Sequence, residues 1–394
     1  MLLFYQMRVI IDGVVYSSAP TGGIYRYFNE LIRRLSELPD TDVEVYTPRT
    51  TTLPPQGPHI KIHQDRLPSG SFMPNGWVKD QLSKLKKLIQ KKLLNREMGG
   101  FQSGDAVYHS TYYTPSPWPE LPQVVTVYDM ISEKFPEDAK LPHNIVLSAA
   151  KRKSVQAAKR VIAISQATKD DLCEIYGISP SVVDVIYFGL DRSFYAKAAT
   201  LGEKQALQSR FKLTEPYVLY VGGRLHHKNF KRLARAYAAS KIKSNYLLAV
   251  AGFAWDEEEK ALLKSLGIED RVRWMPYLDS ELPAIYQMAS LFVFPSLYEG
   301  FGLPLIEAFA AGTPVAAANA GPFPELAAGA AYLFDPEDID AITKALETMV
   351  DPKLAQEYRK RGLKRAEDFD WSIAAAKTRE CYLRAMGESL DPKR

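Results

Sequence analysis

Apolar residues in this chain fall into short continuous runs set between amphipathic stretches. Such runs read as strands buried on both faces, and the stretches between them as helices covering those faces. MRVIID, residues 7–12, predicts a central parallel strand, followed by a loop and a helix over 24–38. Strands are expected at 42–46, 59–63, 106–110 and 123–128. A helix over 142–158 leads to a strand at 160–164, and Ser165 fits the N-cap of a helix running to Tyr176. A strand at 182–186 completes the first half. Residues 191–215 read as a polar linker with a helix at 203–211.

The pattern then restarts. Strands are predicted at 217–221, 246–251, 272–275, 291–294 and 315–318, with helices at 230–239, 257–266, 282–289 and 305–311. A last helix over 371–386 lies beyond this second pattern and is expected to pack back onto the first domain. Strict β/α alternation means a parallel sheet with helices on both faces. Two such halves make an α/β chain of two Rossmann-like domains. The expected boundaries are 1–195, completed by about 376–394 of the last helix, and 196–375.

Composition agrees with a globular chain of two domains: 394 residues, 46% hydrophobic, 24% charged. A net charge of +4 is too small to argue for nucleic acid. Cys173 and Cys381 have no metal-ligand spacing and fit a reduced compartment. No metal site is expected. MLLFYQ is too short for a signal peptide and reads as an upstream extension. The expected location is cytoplasmic, peripheral at the inner face of the plasma membrane. That second part rests on residues 79–96, where Lys79, Lys84, Lys86, Lys87, Lys91, Lys92 and Arg96 surround apolar Leu82, Leu85, Ile89 and Leu93 at helical spacing. A basic amphipathic helix suits an anionic membrane surface, or packs its apolar side on its own domain.

The candidate chemistry gathers at predicted strand ends, where open α/β sheets bind ligands. After strand 291–294 come Glu299, the turn Gly300-Phe301-Gly302, Leu303, and a short helix opened by Pro304, carrying Glu307 and closed by Gly312. After strand 217–221 come Gly222-Gly223-Arg224 and then Lys228 at a helix start. Cations there oppose the helix dipole unless they serve an anion such as a diphosphate. Gly22 and Gly23 precede the first long helix, as a backbone approach to a ligand or as a simple turn. His109, Tyr128 and Asp129 lie at strand ends in the first half, either facing a ligand or satisfied inside the fold. Neither half has G-x-G-x-x-G with an acidic ribose partner, which disfavours a nicotinamide enzyme.

In this order these features resemble the retaining nucleotide-sugar glycosyltransferases of family 4, which have the GT-B fold of two Rossmann-like domains facing a cleft. The stretch Glu299 to Val315, EGFGLPLIEAFAAGTPV, follows that family's Glu-x7-Glu signature E-G-F-G-L-P-x-x-E-A-x-A-x-G-x-P-V. GGIYRYFNEL, VIAISQATKDDL, VIYFGLD, YVGGRLHHKNF and FDWSIAAAKTRECYLRAM look like further family segments, so the resemblance spans nearly the whole chain.

The resemblance implies that Arg224 and Lys228 hold the donor diphosphate and act with Glu299 in catalysis. It implies that Glu307 binds the ribose, and that Glu299 with the backbone of Gly300, Phe301, Gly302 and Leu303 holds the transferred sugar and the phosphates. Tyr277 and Leu278 would hold the base, and Gly22 and Gly23 would approach the donor from the other domain, so that domain closure assembles the site. No bound metal or cofactor is implied. Where the family commonly has His-Asp, this chain has Tyr128-Asp129, a departure on the sugar or acceptor side. YHSTYYTP and TVYDMISEKFP look like bacterial surface-polysaccharide mannosyltransferases. The implied partners are a nucleotide-diphosphate sugar, best matched by GDP-mannose, and a glycan or lipid-linked glycan acceptor. Alternatives are a sugar-nucleotide epimerase of the same fold and a non-catalytic nucleotide-sugar-binding module.

Overall fold

A computed structural model of the chain describes residues 6–18, 22–47, 52–64, 104, 106–135, 142–190, 195 and 197–387. The basic stretch at 79–96 lies outside the described residues. Contacts divide the chain into two units. The first comprises Met1–Ile164, Lys169–Phe188 and Trp371–Arg394; the second comprises Ser165–Thr168 and Gly189–Asp370. The expected boundary near 195 thus falls at Phe188, and the last helix belongs to the first unit from Trp371 onward.

The first unit begins with β1 (Met7–Asp12), α1 (Val15–Ser18), α2 (Gly23–Ser36), β2 (Thr41–Thr47), β3 (Ile60–Gln64) and β4 (Ala106–Ser110). It continues with β5 (Gln123–Val127), α3 (Ile131–Lys134), α4 (Pro142–Ala157), β6 (Arg160–Ala163), α5 (Gln166–Tyr176) and β7 (Val183–Val185). Its strands form one sheet in the order β3-β2-β1-β4-β5-β6-β7, every described pairing parallel. α2 buries Tyr27, Phe28, Leu31, Ile32 and Leu35, the i, i+4 stripe that makes it a covering helix. Ile10, Ala106, Tyr108, Trp118 and Leu121 form a core cluster, so Trp118 of the Pro-rich loop is a packing residue.

The second unit carries α6 (Leu201–Phe211), β8 (Tyr217–Val221), α7 (Phe230–Ala239), β9 (Leu247–Ala251), α8 (Glu257–Ser265), β10 (Val272–Met275) and α9 (Leu282–Met288). After these come β11 (Leu291–Phe294), α10 (Leu303–Ala310), β12 (Val315–Ala318), α11 (Phe323–Ala327), β13 (Tyr332–Phe334), α12 (Ile339–Met349) and α13 (Pro352–Arg365). The sheet order is β10-β9-β8-β11-β12-β13, again parallel throughout. β8 and β9 are buried at every position, which is why each reads as an unbroken apolar run. Thr200–Glu203 and Asp256–Glu259 close capping boxes on α6 and α8.

β13 and the helices α11, α12 and α13 extend the unit beyond the predicted elements. β13 is three residues on a sheet edge, too short for an alternating pattern to declare itself. α14 (Trp371–Met386) packs within the first unit: Trp371 meets Tyr27 and Phe188, and Arg384 pairs with Asp184 at 2.9 Å.

Candidate functional site

Strand order decides which loops can meet. In the second sheet the chain leaves β8 toward β9 on one side and leaves β11 toward β12 on the other. Adjacent strands whose connections diverge open a crevice at their carboxyl ends. The loop after β8 holds Arg224 and Lys228; the loop after β11 holds Glu299 and its glycine turn. A backbone bond from Leu297 N–H to the His227 carbonyl, 2.7 Å, ties the two loops together.

Lys228 and Glu299 meet across this crevice. The Lys228 Nζ donates to Glu299 Oε1 and Oε2 at 2.7 and 2.8 Å. The lysine side chain is 25% exposed and the glutamate 10%. Lys228 closes a 3-10 turn, His226–Lys228, and Asn229 follows it in the left-handed region at φ 59°. The Asn229 amide donates to the carbonyls of Pro295 and Pro336, so it stitches the β8 loop to the β11 loop and to the segment after β13. This role has little mark in the sequence. Its only signal was an Asn placed directly before a helix.

Arg224 is engaged otherwise than the sequence suggested. Its guanidinium sits in a bidentate bridge to Glu259, Nε to Oε1 at 2.6 Å and Nη2 to Oε2 at 3.0 Å. It also donates to the carbonyls of Phe253 and Ala254 and stacks 4.5 Å from the Trp255 ring centroid. At 5% exposure it is held against its own loop. The unfavourable placement of a cation near a helix start is therefore offset by Glu259, a carboxylate that sequence reasoning missed inside an acidic run. Its local context, the acidic first turn Glu257–Glu259 of α8, is one that the helix dipole alone would favour.

Glu307 is buried on α10 and accepts a hydrogen bond from the Tyr286 hydroxyl at 3.1 Å. Glu299 precedes the helix, so the two acids occupy different surroundings. Gly302 caps α10 at φ 115°, and a Cβ there would lie 2.9 Å from the Phe323 ring. Both constraints demand glycine. α10 starts at Leu303, with Pro304 second and Gly312 just past its end at φ 71°. The helix opens just after the turn that follows Glu299, where Pro304 has no N–H and the Leu305 N–H donates to the Gly302 carbonyl at 2.9 Å. Phe301 is buried and Leu303 half-buried. Tyr277 is half-buried and Leu278 is 65% exposed after β10, while Phe253 is 78% exposed after β9.

In the first unit, Gly22 takes φ 93° at the N-cap of α2 and is exposed, as is Gly23. A Cβ at Gly22 would meet nothing within 4 Å, so conformation and not space calls for glycine. His109 corrects the ligand-facing expectation. It is wholly buried, Nδ1 lying 2.7 Å from the Tyr382 hydroxyl and Nε2 2.8 Å from Thr126 Oγ1. Burial pushes its pKa down to about 3, so it stays neutral. Tyr128 is likewise buried, its hydroxyl donating to the Thr111 carbonyl at 2.9 Å and not toward a sugar. Asp129 accepts the Ile131 N–H at 3.1 Å, and its carbonyl takes the buried Lys151 ammonium at 3.0 Å. Lys151 also bridges to Glu133 at 2.8 Å. The strand-end Asp12 is fully buried: the Thr111 N–H and the hydroxyls of Thr111, Tyr108 and Thr114 donate to it, and burial raises its pKa to about 6. Among the described residues no cluster of His, Cys, Asp and Glu is placed to hold a metal, and no helix is long and apolar enough to cross a membrane.

Residues 21–194 match the family "Glycosyltransferase Family 4", and residues 203–365 match "Glycosyl transferases group 1". The chain is 25% identical to the O-antigen chain mannosyltransferase B of Escherichia coli, covering 92% of this chain and 96% of that protein. It is 30% identical to the mannosylfructose-phosphate synthase of Agrobacterium fabrum, covering 82% and 77%. Among solved structures, the sucrose-phosphate synthase of Thermosynechococcus elongatus superposes with a TM-score of 0.73 at 22% identity, over 98% of this chain and all of that one. The two parallel doubly wound sheets are those of the GT-B fold. This chain belongs to glycosyltransferase family 4 and is a glycosyltransferase.

Proposed function

We propose that the enzyme moves mannose from GDP-mannose to a hydroxyl of a glycan or lipid-linked glycan, with retention at the anomeric carbon. The observation that carries the reading is the Lys228–Glu299 pair at the carboxyl edge of β8 and β11, beside the first turn of α10. A diphosphate bound there meets the Lys228 ammonium and the N–H groups that open the helix. Arg224, in the same loop as Lys228, is committed to a charge-neutral bridge with Glu259. Glu307, oriented by Tyr286, accepts hydrogen bonds from the ribose, and the base lies over Tyr277 and Leu278. Glu299 accepts from hydroxyls of the transferred sugar while Lys228 holds its carboxylate in place.

As the glycosidic bond stretches, negative charge grows on the leaving diphosphate oxygen and positive charge on the sugar ring. Lys228 and the helix N–H groups stabilise the first, and Glu299 the second. The acceptor hydroxyl enters from the face the diphosphate leaves, and the leaving oxygen takes its proton. No side-chain nucleophile is needed. Charge neutralisation by the protein itself requires no bound metal. Mannose is favoured because the similarity to an O-antigen mannosyltransferase runs nearly end to end.

A panel of nucleotide sugars tests this without knowledge of the acceptor. Slow hydrolysis and thermal shift are read for GDP-mannose, UDP-glucose and UDP-N-acetylglucosamine. GDP-mannose should give the largest kcat/KM. Preference for a uridine donor would overturn the donor assignment, and no response to any donor would overturn the reading as a whole. Proton NMR of the first-formed product reports the anomeric outcome.

A further inference from the structure

The segment VIAISQATKDDL has no part in the chemistry above, yet its polar residues converge on the signature turn. Ser165–Thr168, the start of α5, is grouped with the second unit. There the carbonyl of Gly300 accepts two side-chain hydrogen bonds, from Ser165 Oγ at 2.7 Å and Thr168 Oγ1 at 3.1 Å. Both hydroxyl-bearing side chains are wholly buried. Ser165 Oγ also accepts the Thr168 N–H at 3.0 Å, so one atom caps α5 and anchors the turn. The N–H groups of Gln166 and Ala167 donate to the Glu325 carboxylate at 3.0 and 3.1 Å. The backbone donors of this first turn are thus satisfied separately, and the two hydroxyls are directed at Gly300.

A peptide unit is planar and trans, so the Gly300 carbonyl and the Phe301 N–H point in opposite directions on one rigid plate. Glycine at position 300, on the leading side of this plate, makes it easier to rotate. Rotation would strip the carbonyl of both partners inside a buried site, which is costly. Two hydroxyls on one oxygen therefore hold the orientation of the plate, and with it the direction of the Phe301 N–H and the start of the turn that follows Glu299.

We propose that Ser165 and Thr168 are positioning residues of the donor site, setting the Gly300–Phe301 peptide so that its N–H faces the transferred sugar. This rests on the reading that the signature turn holds the donor. The hydroxyls touch neither donor nor acceptor. They act through the Gly300 carbonyl, and their effect falls on recognition of the sugar more than on the nucleoside diphosphate, which Lys228, Glu307 and the α10 N–H groups hold.

Thr168→Val tests this with little change of shape and with the Ser165 cap intact. Wild type, Thr168→Val, Thr168→Ser and the double variant Ser165→Ala/Thr168→Val are compared in hydrolysis of the preferred nucleotide sugar and in binding of the free nucleoside diphosphate. Each lost hydroxyl should lower kcat/KM for the nucleotide sugar by about two- to tenfold, the range of one neutral hydrogen bond. Affinity for the free nucleoside diphosphate should stay within about twofold, and Thr168→Ser should recover most of the wild-type value. Should the double variant not fold, Thr168→Val against Thr168→Ser decides alone. Unchanged kcat/KM in Thr168→Val, or parallel losses for nucleotide sugar and nucleoside diphosphate, would overturn the proposal while leaving the enzyme's function standing. A wild-type protein that responds to no nucleotide sugar would instead remove the functional reading on which it rests.

Discussion

Replacing Lys228 by alanine separates the two jobs its ammonium performs. The structure has that ammonium within 2.8 Å of both Glu299 oxygens, with the carboxylate side chain only 10% exposed. Removing it leaves a shielded negative charge without its partner. Breaking a fully buried pair costs about 3–5 kcal/mol, and an exposed pair contributes about 0–1 kcal/mol. With Lys228 a quarter exposed, the expected loss lies between, about 1–3 kcal/mol. In a unit of this size that lowers the melting temperature by roughly 2–4 °C per kcal/mol. On the proposed function turnover should fall further, because the lost charge would also stabilise the departing diphosphate: about 10²–10³ in kcat/KM, the scale of one oxyanion-stabilising donor. The double variant Lys228→Ala/Glu299→Gln removes the stranded charge as well. It should regain most of the melting temperature and none of the turnover. Differential scanning fluorimetry and donor hydrolysis read the two effects on the same samples. Turnover of Lys228→Ala within a few-fold of wild type, or recovery of activity in the double variant, would refute the catalytic assignment.

Arg224→Ala should destabilise by about 3–5 kcal/mol, since it strands Glu259 in a buried setting, and the double variant Arg224→Ala/Glu259→Ala should melt higher than the single one. Asp12 is a pH-dependent liability. Burial raises its folded pKa from 3.8 to about 6 against the hydrogen bonds it accepts, so the stability of the fold with the neutral acid is fully present below about pH 4 and is lost as pH rises through 6. At pH 7.5 the charge costs about 3 kcal/mol. Asp12→Asn should therefore flatten the fall in urea midpoint between pH 5 and pH 7.5, and an unchanged slope would rule the assignment out. His109, neutral and enclosed, should contribute no limb to the pH–rate profile above pH 5. Chelator should leave donor hydrolysis unchanged, whereas a strict requirement for a divalent cation would mean the diphosphate charge is met by something other than Lys228 and the helix N–H groups.

Much of the architecture is legible along the chain. Strands β8, β10, β11 and β12 and the helix α7 occupy the residues their apolar runs indicate. A parallel strand covered on both faces has no polar side to interrupt the run, and Gly302, Pro304 and Gly312 punctuate α10 through backbone preferences alone. The short edge strand β13 and the helices flanking it lack so clear a signature. The acids, the lysine and the glycine turn are also visible, because their order is itself the family's mark.

Strand order and side-chain partners belong to another level. Local periodicity reports that a face is buried, not which neighbour buries it. Lys228 and Glu299 are 71 residues apart and meet because β8 and β11 are adjacent. Ser165 finds Gly300 from 135 residues away. His109 lies near the end of an apolar run and Glu299 shortly after one, yet the first is enclosed by Tyr382 and Thr126 while the second holds Lys228 at the crevice. Arg224 reads as a free clamp until Glu259, on a helix one strand further along, takes its fork. The residue types that can do the chemistry are a property of the chain. Which of them face a ligand, and which are consumed in holding the fold, is settled by long-range packing, because burial and pairing depend on neighbours that only the folded sheet brings together.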